Sequence, residues 1–290
     1  MRSALLNIAF ARPQYFEQVL DGLRAQEWNR KYDYYCFIDG PRTINDRAAI
    51  DENVYLAKQF IKDMEGKIYS SSIILRSKNM GCDDNISDAI IRLLLERKYD
   101  ELIVVEEDVL PMKGFIPWVE WGLDNIVGNN METCCTKRTI FNIIGFSEPK
   151  STKEDPKAYR INRWFTPWGW ATKRDVWLKY FGEYAVDVAF KGLHETQKNL
   201  VEDYPIKNKS KFVQYDSTGK VMGYSGGWDN FTNMIGEINN LHEVSPVVPR
   251  TRNIGRIGLH QDGDYLWPEL VDRLTTSEDY DLVKDGFHEV

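Results

Sequence analysis

Short apolar runs alternate with amphipathic stretches along the first 110 residues. The runs that predict strands are residues 4–10, 32–38, 68–75 and 102–105. Between them, apolar positions recur at helical spacing after Pro13, over residues 50–64 and over residues 86–94. Each crossover is long enough for a parallel return. The pattern therefore predicts an α/β fold with a mostly parallel central sheet flanked by helices in three layers.

The alternation weakens after residue 112. The sequence predicts helices over residues 115–126 and 228–241 and a strand over 139–146. Residues 147–159 and 199–220 are polar and predict irregular loops, and the last fifteen residues predict a poorly ordered acidic tail. The N-cap of the third helix is expected at Asp84 or Asn85.

Polar residues follow each of the four predicted parallel strands. Ligands of such sheets bind outside the carboxyl ends of the strands, so these residues are expected to cluster. They are Ala11 and Arg12, Asp39 and Gly40, 79–81, and 106–108. The first strand is followed by neither G-x-G-x-x-G nor G-x-x-x-x-G-K, which disfavours dehydrogenases and P-loop kinases.

Glu106, Glu107 and Asp108 follow the most apolar of these strands. Side chains alternate along a strand, so Glu106 and Asp108 should converge on one side and Glu107 should face the other. Close carboxylates repel one another unless a cation lies among them. Oxygen ligands suit Mg²⁺ or Mn²⁺. The alternative is a solvated acidic turn.

The charge and the cysteines narrow the class of protein. Lys and Arg total 37 and Asp and Glu total 44, which gives a net charge of −7 and disfavours nucleic acid as a partner. The 4 cysteines show no metal-binding or disulfide pattern and are expected to be reduced, as in the cytoplasm. No apolar stretch is long enough to cross a membrane. Peripheral attachment at the inner membrane face stays open.

Tryptophan is abundant, with 9 among 290 residues. Trp164, Trp168 and Trp170 lie in one short segment with Gly169. Flat aromatic faces can stack on sugars, and a glycine lets a ligand approach the backbone. The alternative is a core-packed loop, and we expect both roles, with Trp168 or Trp170 contacting the ligand.

Several motifs together resemble one enzyme family, the GT-A glycosyltransferases, closest to the N-acetylglucosaminyltransferase I-like branch and bacterial type-2 family members. In chain order these motifs are Arg12-Pro13-x-Tyr15, Asp39-Gly40, Asn79-x-Gly81-Cys82, Val105-Glu106-Glu107-Asp108-x-x-Pro111-x-x-x-Phe115, Trp168-Gly169-Trp170-Ala171-Thr172-x-x-x-x-Trp177, Trp228-Asp229 and Asn253-Ile254-Gly255. The resemblance covers roughly residues 4–262. The sequence departs from the family at Glu107, where the family usually has Asp.

The resemblance implies a nucleoside-diphosphate sugar as donor, UDP-linked by preference, and a glycan or glycolipid hydroxyl as acceptor. It implies Mn²⁺ or Mg²⁺ with Asp108 as a direct ligand, and inversion at the anomeric carbon. Glu106 and Glu107 would contact sugar, ribose or metal-bound water. Asn79 belongs to the expected donor site, and Arg12 and Asp39 would line the base pocket, with Asp39 accepting a base N–H.

The resemblance also suggests roles nearer the C-terminus. Asp229 would be the general base, with Glu202 and Asp203 as acidic rivals and a simple N-cap as the alternative. His260 would add a nitrogen ligand to the metal unless it is structural. Three arginines would meet the diphosphate or an anionic acceptor, or form a solvated basic loop. They are Arg250, Arg252 and Arg256.

A single domain is expected, with a nucleotide-sugar half at 1–110, an acceptor half at 111–265 and a tail at 266–290. Two other classes stay open. A sugar-nucleotide nucleotidyltransferase also combines an α/β sheet with acidic metal ligands, but it usually needs a Gly-rich basic loop where this chain has only Ala11-Arg12-Pro13. A non-catalytic carbohydrate-binding protein would use the tryptophans alone.

Overall fold

The computed structural model describes residues 1–132, 137–148, 154–181, 213–215, 217, 221–224, 228–255 and 287–290. Within these ranges, no helix is both long enough and apolar enough to cross a membrane. The predictions for 199–212, including Glu202 and Asp203, and for Arg256 and His260 lie outside the described residues.

Fourteen strands are described. They are β1 (Ser3–Ala9), β2 (Tyr32–Ile38), β3 (Ile68–Leu75), β4 (Glu101–Glu106), β5 (Val109–Pro111), β6 (Asn130–Glu132), β7 (Lys137–Ile144), β8 (Ala158–Asn162), β9 (Trp170–Lys173), β10 (Val213–Tyr215), β11 (Val221–Tyr224), β12 (Leu241–Pro246), β13 (Thr251–Asn253) and β14 (His288–Glu289).

Six α-helices accompany them. They are α1 (Pro13–Arg24), α2 (Arg47–Asp63), α3 (Cys82–Ile91), α4 (Phe115–Asn125), α5 (Arg174–Tyr180) and α6 (Trp228–Ile238). Pro13 begins α1, where its missing N–H leaves no hydrogen bond unmade. A short π-helix, Arg92–Glu96, continues α3.

The main sheet has the strand order β14-β8-β12-β7-β9-β4-β1-β2-β3. Strands β3, β2, β1 and β4 are parallel, and β9 joins β4 and β7 by antiparallel pairing. This confirms the predicted α/β class with a mostly parallel central sheet. The chain moves outward from β1 to β3 and then returns to β4 on the other side of β1. The boundary between β1 and β4 is therefore a topological switch point, where open α/β sheets bind ligands.

Burial explains why the first half was predictable. Every residue of β1 and β2 is buried, as expected for strands covered on both faces. Helices α1 and α2 contact each other, and α3 contacts β1 and β2. Parallel crossovers are almost always right-handed, so the return from β3 to β4 is expected to place α3 on the face opposite α1 and α2. Helix α3 begins at Cys82, earlier than the expected cap at Asp84 or Asn85, because Gly81 takes the cap position with a φ of 83°.

The second half differs more from prediction. Helix α6 ends at Ile238, and Leu241 already begins β12. The polar stretch expected to be irregular contains the short strand β10. The tail expected to be poorly ordered ends in β14, which pairs with β8, while Phe287 packs on Trp118 at a ring-centroid distance of 4.6 Å. Phe287, an apolar residue in the otherwise acidic tail, therefore fixes the end of the chain against α4.

Candidate active site

An ion-pair group joins the carboxyl ends of β1 and β4 at the switch point. The Nε of Arg12 donates to Oε1 of Glu107 at 2.6 Å, and its Nη1 lies 3.0 Å from Oδ2 of Asp108. Burial would lower the pKa of Arg12, but Asp108 and Glu107 raise it overall. The guanidinium is therefore permanently charged and offsets the two neighbouring carboxylates.

Glu107 points into the protein. Its side chain is 5% exposed, and its second oxygen accepts the Phe10 backbone N–H at 2.7 Å. Burial raises its pKa, while the charge of Arg12 and the Phe10 N–H act in the opposite direction. Glu107 thus holds Arg12 and the end of β1 against β4.

Glu106 belongs to a different group of carboxylates. Burial, followed by the negative charges of Asp108 and Asp229, raises its pKa to about 8. The charges of Asp108 and Asp229 therefore both act on Glu106, although Asp229 comes from a distant part of the sequence. Asp108 is not separated from Glu107 as strand alternation predicted, because β4 ends at Glu106 and Arg12 pairs with both Glu107 and Asp108.

Asp229 stands in the first turn of α6, where the helix dipole favours the ionised carboxylate. The start of α6 is fixed by Asp83, whose Oδ1 accepts the Trp228 N–H at 2.9 Å. One turn further, Nδ2 of Asn233 donates to the Asp229 carbonyl at 3.1 Å. Asp229 is thereby positioned from two sides.

Asp39 organises the loops that follow β2 and β3. Its Oδ1 accepts the N–H groups of Gly40 and Met80, both at 2.8 Å. Its Oδ2 accepts Nδ2 of Asn79 at 2.8 Å and the Gly81 N–H at 3.0 Å. All four acceptor positions of the carboxylate are filled from within the chain. The base contact expected at Asp39 would require one of these hydrogen bonds to open.

The two loops also touch through their backbones. A side chain at Gly40 would place its Cβ 2.4 Å from the Lys78 carbonyl oxygen, closer than any ordinary contact. Gly40 is therefore required by the close approach of the two loops. The expected clustering of the four strand ends is confirmed by this contact together with the Asp39 and Arg12 hydrogen bonds.

The Asn253-Ile254-Gly255 motif lies against Asp108. The Ile254 N–H donates to the Asp108 carbonyl at 2.8 Å, and the Gly255 N–H donates to Oδ1 of Asn253 at 2.9 Å. A Cβ at Gly255 would lie 2.4 Å from Oδ2 of Asp108. The sequence motif thus marks a close approach to the acidic group.

The tryptophan segment divides between surface and core. Trp168 is half-buried and packs edge-on against Phe146, with ring centroids 4.6 Å apart. Trp170 is 0% exposed and packs with Phe165, Trp177 and Trp228. Trp170 is therefore a core residue in place of the expected sugar contact, because it presents no ring face.

Gly169 and Arg250 also differ from expectation. Gly169 has a φ of 76°, and a Cβ there would lie 2.6 Å from Cγ2 of Thr251, so the close approach is made by the chain itself. Arg250 is 1% exposed, and its Nη2 and Nη1 donate to the carbonyls of Pro156 and Lys113. This buried guanidinium joins loops and is not part of a solvated or anion-facing patch.

The donor chemistry of the acidic group fits a hard divalent cation. A carboxylate whose pKa is raised by burial and neighbouring acids is stabilised by a positive charge, and oxygen donors are those that Mg²⁺ and Mn²⁺ prefer. Over the described ranges, no group of three or more His, Cys, Asp or Glu residues is arranged so that it could hold a metal ion. Glu106 and Asp108 are the residues that would hold the cation.

The sequence did not point to Asp83 or to a role for Cys82. Cys82 begins α3, and desolvation followed by the charges of Glu106 and Asp83 raises the pKa of its thiol. The only sequence signal for Asp83 is the pair of acids in the first turn of a helix, which is common and carries no information about its partner.

No family model matches the sequence, and no curated protein matches it. Solved structures that are similar to the chain include mouse xyloside xylosyltransferase 1, at 12% identity and a TM-score of 0.44 over 83% of this chain and 84% of the other. TarS residues 1–349 from S. aureus are 10% identical, with a TM-score of 0.43 over 85% and 60%.

The galactosyltransferase LgtC is also similar, at 12% identity and a TM-score of 0.38 over 83% and 72% of the two chains. The xylosyltransferase and LgtC are glycosyltransferases by name, the class that the motifs resemble. Because all three TM-scores lie below 0.5, the function of this chain has to follow from the residues of its own site.

Proposed function

We propose that this protein is a metal-dependent, inverting glycosyltransferase. It moves a hexosyl or N-acetylhexosaminyl group from a nucleoside-diphosphate sugar, with UDP favoured, to a hydroxyl of a glycan or glycolipid. The acceptor class suggests polysaccharide biosynthesis in the cytoplasm. The proposal combines the sequence resemblance with the chemistry of the site.

The observation that best supports the proposal is that the charges of Asp108 and Asp229 both act on the buried Glu106 near the β1/β4 switch point, where Arg12 pairs with Asp108. Arg12 offsets part of this negative charge, yet the pKa of Glu106 stays raised, so a further cation would be favourable there. A diphosphate bound with a divalent cation would supply this positive charge. It would also lie where open α/β sheets bind their ligands, at the carboxyl ends of the strands.

The proposed roles follow from position. Asp229 takes the proton of the attacking acceptor hydroxyl, because a carboxylate in the first turn of a helix stays ionised. Glu106 and Asp108 hold the cation, which when bound would neutralise charge on the departing diphosphate. No second acid is then required at the leaving group.

The remaining contacts orient the donor and the acceptor. Arg12 keeps Asp108 and Glu107 in place and can also face the diphosphate, since its side chain is 30% exposed. Trp168 is half-buried and is our candidate for stacking on a sugar ring. His260 is retained as a candidate metal ligand from the sequence resemblance alone.

Binding of a nucleoside diphosphate tests the proposal. UDP with Mn²⁺ should raise the melting temperature of the protein, and Asp108→Asn should remove the shift. Asp84→Asn is the matched control, because Asp84 is an exposed acid in the first turn of α3. Equal stabilisation by UDP in the presence of chelator would contradict the metal assignment.

Turnover separates the alternative classes. A glycosyltransferase should slowly release nucleoside diphosphate from one member of a nucleotide-sugar panel, and Asp229→Asn should reduce transfer to an acceptor at least 100-fold. The anomeric configuration of the product, read by NMR, checks inversion. Release of pyrophosphate from a nucleoside triphosphate as its nucleotidyl group joins a sugar phosphate would instead indicate a nucleotidyltransferase, and glycan binding without turnover would indicate a binding protein.

A further inference from the structure

Asn233 joins α6 to residues 165–168, the segment that carries Trp168. Its Oδ1 accepts the Phe165 N–H at 2.6 Å, and its Nδ2 donates to the Phe165 carbonyl at 3.0 Å. Asn233 is 7% exposed and Phe165 is 4% exposed. A side-chain amide carries both a donor and an acceptor, so Asn233 satisfies both buried backbone groups of Phe165, and these groups fix which way the amide faces.

The same amide reaches the turn of α6 that carries Asp229. Its Nδ2 also donates to the Asp229 carbonyl at 3.1 Å, one helical turn earlier. Because the amide nitrogen has two hydrogens, the carbonyls of Phe165 and Asp229 can be bound at once. The Phe165 ring also packs edge-on against Trp228, the first residue of α6, with ring centroids 5.2 Å apart. The segment therefore meets the start of α6 through both its backbone and its core side chain.

The rest of the 165–168 segment is held by the sheet side of the protein. The Thr166 N–H donates to Oε2 of Glu243 in β12 at 3.0 Å. Oγ1 of Thr251, in β13, donates to the Trp168 carbonyl at 2.7 Å. Asn233 supplies the hydrogen bonds that hold this segment to α6.

We infer that Asn233 is a positioning residue, which fixes the acceptor surface at Trp168 relative to the base Asp229. The inference rests on the proposed function, because both of these roles belong to it. The base has to lie within hydrogen-bond reach of the acceptor hydroxyl while the acceptor sugar stacks on Trp168. A buried side chain that binds both elements maintains this geometry without touching the substrate.

The first measurement separates transfer from nucleotide binding. With the donor identified from the nucleotide-sugar panel and p-nitrophenyl glycosides as acceptors, Asn233→Ala should lower kcat/KM for the acceptor at least about tenfold, because small displacements of reacting groups are costly. Calorimetric binding of UDP with Mn²⁺ should stay unchanged, because Glu106 and Asp108 lie at the end of β4 and in the turn after it. A general loss of structure would lower both.

Asn233→Ser distinguishes the contact inside α6 from the contacts to Phe165. A serine hydroxyl can donate to the carbonyl four residues earlier, here that of Asp229. It lacks the amide that pairs with both backbone groups of Phe165. Asn233→Ser should therefore lose transfer as Asn233→Ala does, and it repeats the measurement if Asn233→Ala does not fold.

Asn239→Ala is the matched control. The Nδ2 of Asn239 donates to the Ile235 carbonyl at 2.9 Å, which is the same contact to the residue four positions earlier that Asn233 makes. Asn239 lies just beyond the end of α6, away from the turn that carries Asp229. Its substitution should leave both transfer and UDP binding unchanged.

A double-mutant cycle tests the link to the acceptor surface. Trp168→Ala alone should lower kcat/KM for the acceptor. In the Asn233→Ala background the further loss should be smaller, because Trp168 is then no longer held in position relative to the base. Independent structural roles would instead give additive losses.

Three results would overturn the inference while leaving the proposed function standing. They are wild-type transfer by Asn233→Ser, additive losses in the cycle with Trp168→Ala, and a loss in Asn239→Ala as large as that in Asn233→Ala. If the wild type neither binds UDP with Mn²⁺ nor transfers sugar from any donor of the panel, the proposed function itself fails, and the inference fails with it.

Discussion

Asp83 and Trp228 join two helices that are far apart in the sequence. Oδ1 of Asp83, in the first turn of α3, accepts the backbone N–H of Trp228 at 2.9 Å, and Trp228 is the first residue of α6. The N–H groups at a helix start have no partner within their own helix. A side chain from α3 therefore caps α6 and sets the position of Asp229 relative to Glu106.

Asp83→Ala should lower the free energy of unfolding by about 1–2 kcal/mol, the usual effect of losing an N-cap. It should also lower the rate of sugar transfer, because Asp229 loses one of its supports. Urea denaturation and steady-state kinetics measure the two effects. Asp84→Ala is the control, and equal losses in the two variants would show that the Trp228 contact is not responsible.

Arg12 and Glu107 form the second relationship that can be tested. Removing one partner of a largely buried ion pair leaves the other charge without compensation, which costs about 3 kcal/mol. Arg12→Ala should therefore destabilise the fold by about that amount in urea denaturation. The partner most affected is Glu107, whose side chain is 5% exposed.

A double-mutant cycle tests whether the unpaired Glu107 carboxylate causes this loss of stability. In the Arg12→Ala background, Glu107→Gln should restore part of the lost stability, because a neutral amide is less unfavourable when buried than an unpaired carboxylate. If the two substitutions are additive in their effects, the loss in Arg12→Ala comes from packing or from Asp108 and not from Glu107.

Glu243 predicts a pH dependence of stability. It is 2% exposed in β12, and Oε2 accepts the Thr166 N–H at 3.0 Å. Burial raises its pKa well above the ordinary value, which outweighs the opposite effects of the Thr166 N–H and the Asn142 side chain. The folded state therefore keeps this proton to a higher pH than the unfolded chain does.

This difference in proton binding determines how stability changes with pH. The contribution of Glu243 is fully present below the ordinary glutamate pKa and is lost as the pH rises toward its folded pKa, by at most about 1.4 kcal/mol per pH unit. Glu243→Gln should remove this slope between pH 5 and 8 and should be more stable than the wild type at the upper end.

The measurement is the free energy of unfolding in urea across that pH range. Glu106, with a pKa of about 8, contributes a slope of the same sign, so the quantity to compare is the difference between wild type and variant. Glu237→Gln, at an exposed position of α6, should follow the wild type. A slope that survives in Glu243→Gln would assign the effect to other groups.

The first half of the fold could be predicted because its signals are local. The strands Tyr32–Ile38 and Ile68–Leu75 have the predicted bounds, and Pro13 begins a helix as expected. In these segments burial, propensity and turn residues favour the same structure. The acidic residues after β4 were also predictable, but strand alternation did not separate Glu107 from Asp108, because β4 ends at Glu106 and Arg12 pairs with both.

The roles of single side chains were less predictable because they depend on partners that are distant in sequence. Nothing near Asp39 in the sequence indicates that 79–81 will fill its acceptor positions. Likewise, the sequence gives Trp168 and Trp170 the same surroundings, and only the packing of Trp177 and Trp228 decides that Trp170 is in the core. Gly169 was expected to admit a ligand, but the side chain of Thr251 occupies that space.

The acidic surroundings of Cys82 have a consequence for the chemistry of its thiol. Desolvation, followed by the charges of the nearby carboxylates, keeps the pKa of the thiol raised, so the reactive thiolate is scarce at neutral pH. Oxidants and alkylating reagents attack the thiolate, and they should therefore react slowly at this position. The carboxylates that we propose to bind a cation therefore also help to protect Cys82 from oxidation.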